Sequence, residues 1–425
     1  MRGGERIPAS ATWVELEEAQ HRAVRAAEEL PGRGVEEVGL EEVLHRWLAD
    51  PAAADADQPP FDRAMMDGYA LRSGDAAGAS QEEPVRLPVR GRAAAGTPGS
   101  LRLEEGTALQ IFTGAPVPPG ADTVVPVERT RREGDEVLLL GPVDAGDHIG
   151  RRGTQVREGE RLLPAGVCVD PSRSALLASV GAVPVRVGRM PRLVVAATGD
   201  ELVSPDRVPG PGRIRETSTF MLGALFASRG FTARRVPRIA DEVEAVRKGI
   251  RDGAAGADVL CLTGGVSMGE KDYVEGVLEE LGAEVLFRSV KIKPGKPMVA
   301  ARLDRSLVFG LPGNPVSSFV TAHQVVLPAL RAFAGAARPL PRFLPARLAG
   351  TLRTRGPRPE FRPVRCSGGR EGLQVSPVDY RGSSDIAGLA RGNALVSLPG
   401  GDRELERGSI VDVCFYRGCE GVETP

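Results

Sequence analysis

The chain has 425 residues and a net charge of −1, its 55 Lys and Arg balancing 56 Asp and Glu. That balance excludes the basic field of a nucleic-acid binder, and an aromatic content of 4% excludes a base-stacking platform. With 41% hydrophobic residues, the length accommodates roughly two to four domains, each with a core of its own. The five cysteines (Cys168, Cys261, Cys366, Cys414 and Cys419) form no Cys-x-x-Cys pair, so neither a zinc knuckle nor a disulfide framework is indicated. Cys261 falls in a buried-strand pattern and reads as an inert core residue. No N-terminal stretch has the make-up of a signal peptide and no apolar run is long enough to span a bilayer, so the expected setting is cytoplasmic, without membrane.

In chain order, Val14, Ala19, Val24 and Ala27 fall on one face of a predicted helix over 13–30, and 40–48 reads as a second, shorter helix. Residues 51–60, rich in Ala, Asp and Pro, look like a crossing between domains. Asp67-Gly68 has the chemistry of a turn. Strand-like runs at 85–89, 108–112, 123–127 and 137–140 alternate with Gly/Pro turns, the pattern of a small β-rich domain. Residues 162–187 fit short strands around a helix at 171–180. A strand at 192–198 ends in Gly199-Asp200-Glu201-Leu202, which places two carboxylates at a strand end. Ser218 or Thr219 can cap a helix running to Ala227. A strand follows at 231–239, and Asp241-Glu242 opens the next helix, where acids suit the dipole. Residues 343–415 read as short strands with turns.

The stretch from 258 to 317 organises the chain. Apolar runs at 259–262 and 307–309, bounded by Gly and Pro, suit buried strands of a parallel sheet, and ligands sit at the carboxyl ends of such strands. The loops after Thr263, Val290 and Phe309 belong at that edge. Gly264 and Gly265 allow close backbone approach. Lys293 and Lys296 offer two cations across the stiff Pro294-Gly295. Asp272 is a hard oxygen ligand, suited to Mg²⁺ shared with a phosphate. Together these loops point to an anionic ligand.

Three motifs in this order, Thr263-Gly-Gly-Val-Ser-x-Gly-x-x-Asp272, Lys293-Pro-Gly-Lys-Pro297 and Gly310-Leu-Pro-Gly-Asn-Pro-Val-Ser317, resemble the signatures of the molybdopterin molybdenumtransferase family, which includes the gephyrin E-domain. The resemblance covers nearly the whole chain. It takes in Ala64-Met-Met-Asp67-Gly-Tyr-Ala70, Thr113-Gly-Ala-Pro-Val-Pro-Pro-Gly-Ala-Asp122, Thr198-Gly-Asp-Glu-Leu202, and a C-terminal Gly-Ser signature with Ser383 and Asn393. It implies a multidomain α/β protein. A mixed α/β N-terminal domain (10–50 plus 145–190) is followed by an inserted β-rich domain (51–144). A central doubly wound α/β molybdopterin-binding domain (191–335) and a C-terminal β-barrel domain (336–425) complete it.

The implied reaction is insertion of molybdenum from molybdate into adenylylated molybdopterin, giving molybdenum cofactor and AMP, with Mg²⁺ as cofactor. Carried over residue by residue, the catalytic positions are Asp67, Glu201 and Asp272. The substrate contacts are Thr113, Gly264, Gly265, Ser267, Lys293, Lys296, Pro312, Gly313, Asn314, Ser317 and Ser383. The metal ligands are Asp272, Glu201 and Asp241. The implied partners are a second copy in a homodimer and, transiently, the adenylyltransferase and molybdoenzyme maturation proteins.

Three segments depart from the family pattern. Met65 stands where Ala is usual. In Gly146–Gln155, His148, Gly150 and Gln155 replace an acid or amide, an arginine and an acid, with Arg151 or Arg152 as a shifted arginine. Ile214-Arg-Glu216-Thr-Ser218 lacks the usual amide. Two other readings remain open. A molybdopterin adenylyltransferase shares the Gly-Gly and acid pattern but lacks the Met-Asp-Gly-Tyr and Thr-Gly-Ala-Pro segments. A non-catalytic molybdopterin or molybdate carrier or scaffold would account for the departures.

Overall fold

Apolar runs without a polar face become the middle of a six-stranded sheet. Leu193–Ala197, Val259–Thr263 and Ser306–Leu311 are buried along their whole length, as strands covered on both faces must be. The computed structural model describes residues 13–96, 101–266 and 273–417. In it the strand order is Ala233–Arg235, Leu193–Ala197, Val259–Thr263, Ser306–Leu311, Pro297–Leu303, Glu284–Ser289. The first four run parallel, and Pro297–Leu303 is antiparallel to both of its neighbours. The sheet is therefore mixed at one end. Its 290–296 loop nonetheless leaves from the same edge as the loops after Thr263 and Leu311. The strand expected over 231–239 is regular only at Ala233–Arg235, because Pro237 has no N–H for the ladder.

From Leu193–Ala197 the chain crosses outward to Ala233–Arg235, then back to Val259–Thr263 on the other side. This reversal makes a topological switch point, the usual ligand crevice of an open α/β sheet. The two central strands stay together to their ends, where the Thr198 N–H donates to the Thr263 carbonyl at 2.8 Å.

The chain forms two compact units, one of which is Pro51–Pro164 with Ala175–Val183. The other contains the central sheet. In it the helix Leu16–Glu28 buries Ala19, Ala23, Ala26 and Ala27, one face at helical spacing. That face packs on Leu327–Phe333, the last part of a helix that runs from Pro315–Thr321 through a π-helical turn, Ala322–Val326. A π turn disturbs the backbone ladder, and Gln20 Nε2 donates to the Gln324 carbonyl there at 2.8 Å. The helix expected over 40–48 is only a 3₁₀ turn at Leu40–Glu42. His45 has φ of 61°, which no α-helix accommodates, and Trp47 instead bridges to Cys168.

In the same unit five strands close a barrel: Leu344–Leu348, Gly372–Pro377, Glu360–Gly369, Ala394–Leu398 and Ile410–Phe415. Asn393 is buried there and exchanges two hydrogen bonds with the Cys366 backbone, so this signature residue braces the barrel. Cys261 is buried in the central sheet, and burial pushes its thiol pKa up. Cys419 lies outside the described residues. No helix among the described residues is long and apolar enough to cross a membrane.

The second unit is built on another six-stranded sheet. Its order is Thr123–Pro126, Gly68–Leu71, Ala108–Ile111, Val85–Ala93, Glu136–Leu139, Thr130–Glu133.

Asp258, at the foot of Val259–Thr263, is 1% exposed and bonded to both Arg189 (2.9 Å) and Arg192 (3.2 Å). Burial works to raise its pKa, but hydrogen bonds from Arg192 and Arg189 outweigh it and hold the carboxyl below its ordinary 3.8. Its contribution to stability is therefore full above 3.8 and is lost as pH falls through the lower folded value. Asp258→Asn is expected to cost ~3 kcal/mol at neutral pH, since removing one partner of a buried pair strands the other. Denaturant unfolding should show the gap to wild type narrowing in acid; an equal gap at both pH values would mean that the ion pairs contribute nothing.

Candidate active site

A cavity of about 580 Å³ opens at the switch point. Four stretches of sequence line it. The first, after Leu193–Ala197, supplies Thr198, Gly199, Glu201 and Leu202; the second supplies Ile214, Arg215, Thr217 and Ser218, with Asp241 beyond them. The third is Thr263-Gly264-Gly265-Val266, and the fourth Pro312-Gly313-Asn314-Pro315, joined by Pro297, Ser384 and Ile386.

The glycines are required by geometry. Gly264 has φ of 91°, and a Cβ there would lie 2.6 Å from the Thr198 carbonyl oxygen and 2.7 Å from its Oγ1. Only a residue without a side chain fits both conditions. The Gly264 N–H donates to the Leu311 carbonyl at 3.0 Å, which fastens this loop to the end of the neighbouring strand. The Gly313 loop approaches Gly264 closely, and Asn314 Nδ2 donates to Ser383 Oγ at 3.1 Å. Ser383 therefore meets the cavity through Asn314. Ser317 is buried within its helix, where its carbonyl accepts from Thr321, and is not among the lining residues.

The carboxylates are held differently. Glu201 is exposed, and its side chain folds back over Gly199, which has room for it only because it is glycine. Asp241 Oδ2 accepts the Asp200 N–H at 3.1 Å, and Asp200 is in turn held by Arg238 at 3.1 Å. Asp200 thus positions Asp241, a role that the sequence motif did not assign. The Thr198 hydroxyl is buried beneath the two glycines with no hydrogen-bond partner among the described residues.

The donors lining the cavity are hard oxygens, with no His or Cys among them. Such a set fits Mg²⁺, which keeps several waters and is usually held by one or two carboxylates plus a phosphate. Among the described residues no group of three or more His, Cys, Asp or Glu gathers to hold a metal unaided. Glu201 and Asp241 could supply two ligands. Asp272 and Ser267 lie outside the described residues.

The two lysines do not line this cavity. Lys293 Nζ lies 3.1 Å from Glu360 Oε2 in a second cavity of about 320 Å³ that Arg362 and Tyr380 also line. Glu360 is 4% exposed and is also paired with Arg362. Lys296 Nζ sits over the Trp13 ring, 5.3 Å from its centre.

In the other unit, Asp67 Oδ1 accepts from both the N–H (2.7 Å) and the hydroxyl (2.8 Å) of Thr113. These two bonds, the backbone one foremost, hold the Asp67 pKa below the ordinary carboxylate value. Oδ2 has no protein donor among the described residues. The altered 146–155 segment is tied down locally. Arg151 and the Arg152 N–H bind Asp62, and Arg152 Nε binds Asp57. His148 takes a left-handed backbone, φ 53°, and its carbonyl accepts the Met65 N–H. In the 214–219 segment it is Glu216 that caps the helix Ser218–Ala227, accepting from the Thr219 N–H and hydroxyl; Ser218 and Thr219 do not cap it themselves.

Family comparison accounts for this combination of loops. Residues 14–181 match the MoeA N-terminal region (domain I and II), 194–332 a probable molybdopterin binding domain, and 345–416 the MoeA C-terminal region (domain IV). A Bacillus subtilis (strain 168) protein named molybdopterin molybdenumtransferase is 36% identical over 394 residues, covering 91% of each chain. The chain belongs to the molybdopterin molybdenumtransferase family. A Nostoc protein of the same name is 34% identical over 372 residues, covering 86% of this chain and 85% of its own. Two solved molybdopterin biosynthesis MoeA proteins of Pyrococcus horikoshii are 31% and 28% identical. They cover 96% and 95% of this chain and 100% of their own, with TM-scores of 0.77 and 0.76. Family members are enzymes of molybdenum cofactor biosynthesis, and the closed C-terminal barrel and the central α/β domain fit that architecture.

Proposed function

We propose that the chain transfers molybdenum from molybdate into adenylylated molybdopterin, releasing AMP, with Mg²⁺ as cofactor. One observation carries this reading: Glu201, Asp241, Gly264, Gly265, Pro312, Gly313 and Asn314, far apart in sequence, line a single cavity at the switch point of the sheet. The glycine loops let backbone N–H groups approach phosphate oxygens, where a fixed dipole costs no reorganisation. Glu201 and Asp241, together with Asp272, would hold Mg²⁺ against the diphosphate link. When bound, the ion supplies positive charge that stabilises the leaving phosphate.

Lys293 and Lys296, which do not line this cavity, would in this reading contact anionic groups of the substrate that extend beyond it. Asp67, oriented by the two Thr113 bonds to Oδ1, offers Oδ2 to a donor on the pterin. Asp67 and Thr113 complete the machinery in the homodimer that the family resemblance implies. Inactive Asp67→Ala and Glu201→Ala chains, co-expressed, are then expected to regain activity in mixed dimers. A verified heterodimer that stays inactive would remove the shared site.

Purified protein supplied with adenylylated molybdopterin and Mg²⁺ is expected to release AMP in proportion to added molybdate. Release of pyrophosphate from ATP and molybdopterin instead would identify an adenylyltransferase. Binding of the pterin without AMP release would identify a carrier.

A further inference from the structure

The cavity has an unequal distribution of charge. Its lining carries two carboxylates, Glu201 and Asp241, and among the described residues a single cationic side chain, Arg215. Lys293 is paired with Glu360, and Lys296 sits on Trp13. We propose that Arg215 receives the phosphate of the nucleotide half of the substrate and retains it on AMP. This inference rests on the transferase reading and adds the residue that recognises the phosphate.

Arg215 ends a short strand, Ile214–Arg215, paired in parallel with Leu202–Val203. The Ile214 N–H donates to the Glu201 carbonyl at 2.9 Å, and the Glu216 N–H to the Val203 carbonyl at 2.8 Å. Glu201 and Arg215 are therefore carried on one ribbon at the rim of the cavity. Arg215 Nε donates to the carbonyls of Pro205 and Arg207, both at 3.0 Å. These two contacts use one N–H and orient the guanidinium plane, while the terminal nitrogens bond to nothing among the described residues.

The neighbouring charges are committed elsewhere. Glu216 spends its carboxylate on Thr219, at 2.8 and 2.6 Å, and Arg213 donates to the Asp200 carbonyl. Arg215 has no carboxylate within ion-pair distance among the described residues. A guanidinium held by its Nε on a residue that lines a cavity floored by glycine loops, with its terminal donors unbonded among the described residues, is available for two-pronged recognition of a phosphate. The bland account is that Arg215 only closes the 204–213 loop through its two carbonyl contacts, and binding measurements separate the two.

AMP and adenosine are titrated calorimetrically into the full chain with Mg²⁺ present, for wild type, Arg215→Gln and Arg215→Lys, all checked for unchanged thermal unfolding. Wild type should favour AMP over adenosine. Arg215→Gln should lose about 10- to 100-fold in AMP affinity, the worth of a hydrogen bond to a charged group, with adenosine affinity unchanged. Arg215→Lys should fall between them, a point charge replacing a fork. AMP binding by Arg215→Gln equal to wild type, or AMP and adenosine weakened alike, would overturn the assignment in favour of loop bracing. Failure of wild type both to bind AMP and to release it from adenylylated molybdopterin would overturn the transferase reading, and this inference with it. Normal release by wild type with undiminished AMP preference in Arg215→Gln would overturn this inference alone.

Discussion

A Gly264→Ala variant is expected to lose more than about 10²-fold in turnover, the cost of displacing reacting groups by about 1 Å. The added methyl meets the Thr198 carbonyl at 2.6 Å and its hydroxyl at 2.7 Å, both on the neighbouring strand end and neither able to move far. Its φ of 91° is strained for any L side chain, a further cost on the order of 1–3 kcal/mol. Relief requires the loop to lift off Thr198. That lengthens the Gly264 to Leu311 hydrogen bond and shifts Gly264 and Gly265, two of the glycines that line the cavity. Gly276→Ala is the control. It is exposed on the helix Tyr273–Glu280, a Cβ there meets nothing within 4 Å, and alanine should stabilise by ~0.5–1 kcal/mol with activity intact. Steady-state kinetics on the two variants, with melting temperatures beside them, check the pair. Full activity in Gly264→Ala would show that the loop does not position the substrate.

Glu201→Gln is expected to have the second-largest effect, through charge and not through folding. Glu201 is exposed, so its replacement should change stability by less than ~0.5 kcal/mol. Glutamine keeps the shape and one carbonyl oxygen but not the charge that holds a hard cation beside a phosphate. Mg²⁺ affinity should fall by at least the ~10–100-fold that loss of an outer-shell partner alone costs. Calorimetric Mg²⁺ binding in the presence of AMP reads this directly, and turnover should recover partly at high Mg²⁺. Unchanged Mg²⁺ binding in a folded Glu201→Gln chain would exclude Glu201 as a ligand.

The parts that were legible in the sequence share a local cause. Buried strands such as Val259–Thr263 show as apolar runs closed by glycine, and the glycine loops at their ends follow from the same run. What was not legible depends on residues far apart in the chain. Lys293 reads as a free cation until the barrel brings Glu360, 67 residues on, to its side. The helix expected over 40–48 fails at one residue, His45, whose positive φ is set by packing and not by propensity. Arg215 lies in a segment that departs from the family pattern, so motif matching passes over it. Only the pairing of Ile214–Arg215 with Leu202–Val203 brings it onto the ribbon that carries Glu201 at the cavity. The Glu216 cap escapes for the same reason, since a carboxylate takes over the capping expected of Ser218 or Thr219.

The most direct test of the account is the mass of the pterin product. The purified full chain is incubated with adenylylated molybdopterin, Mg²⁺ and isotopically labelled molybdate, and the product is read by mass spectrometry beside the AMP released. The account predicts a pterin that has lost its adenylyl group and gained one labelled molybdenum, in equal amount to the AMP. AMP release without labelled metal in the pterin, or recovery of the adenylylated pterin unchanged, would contradict it.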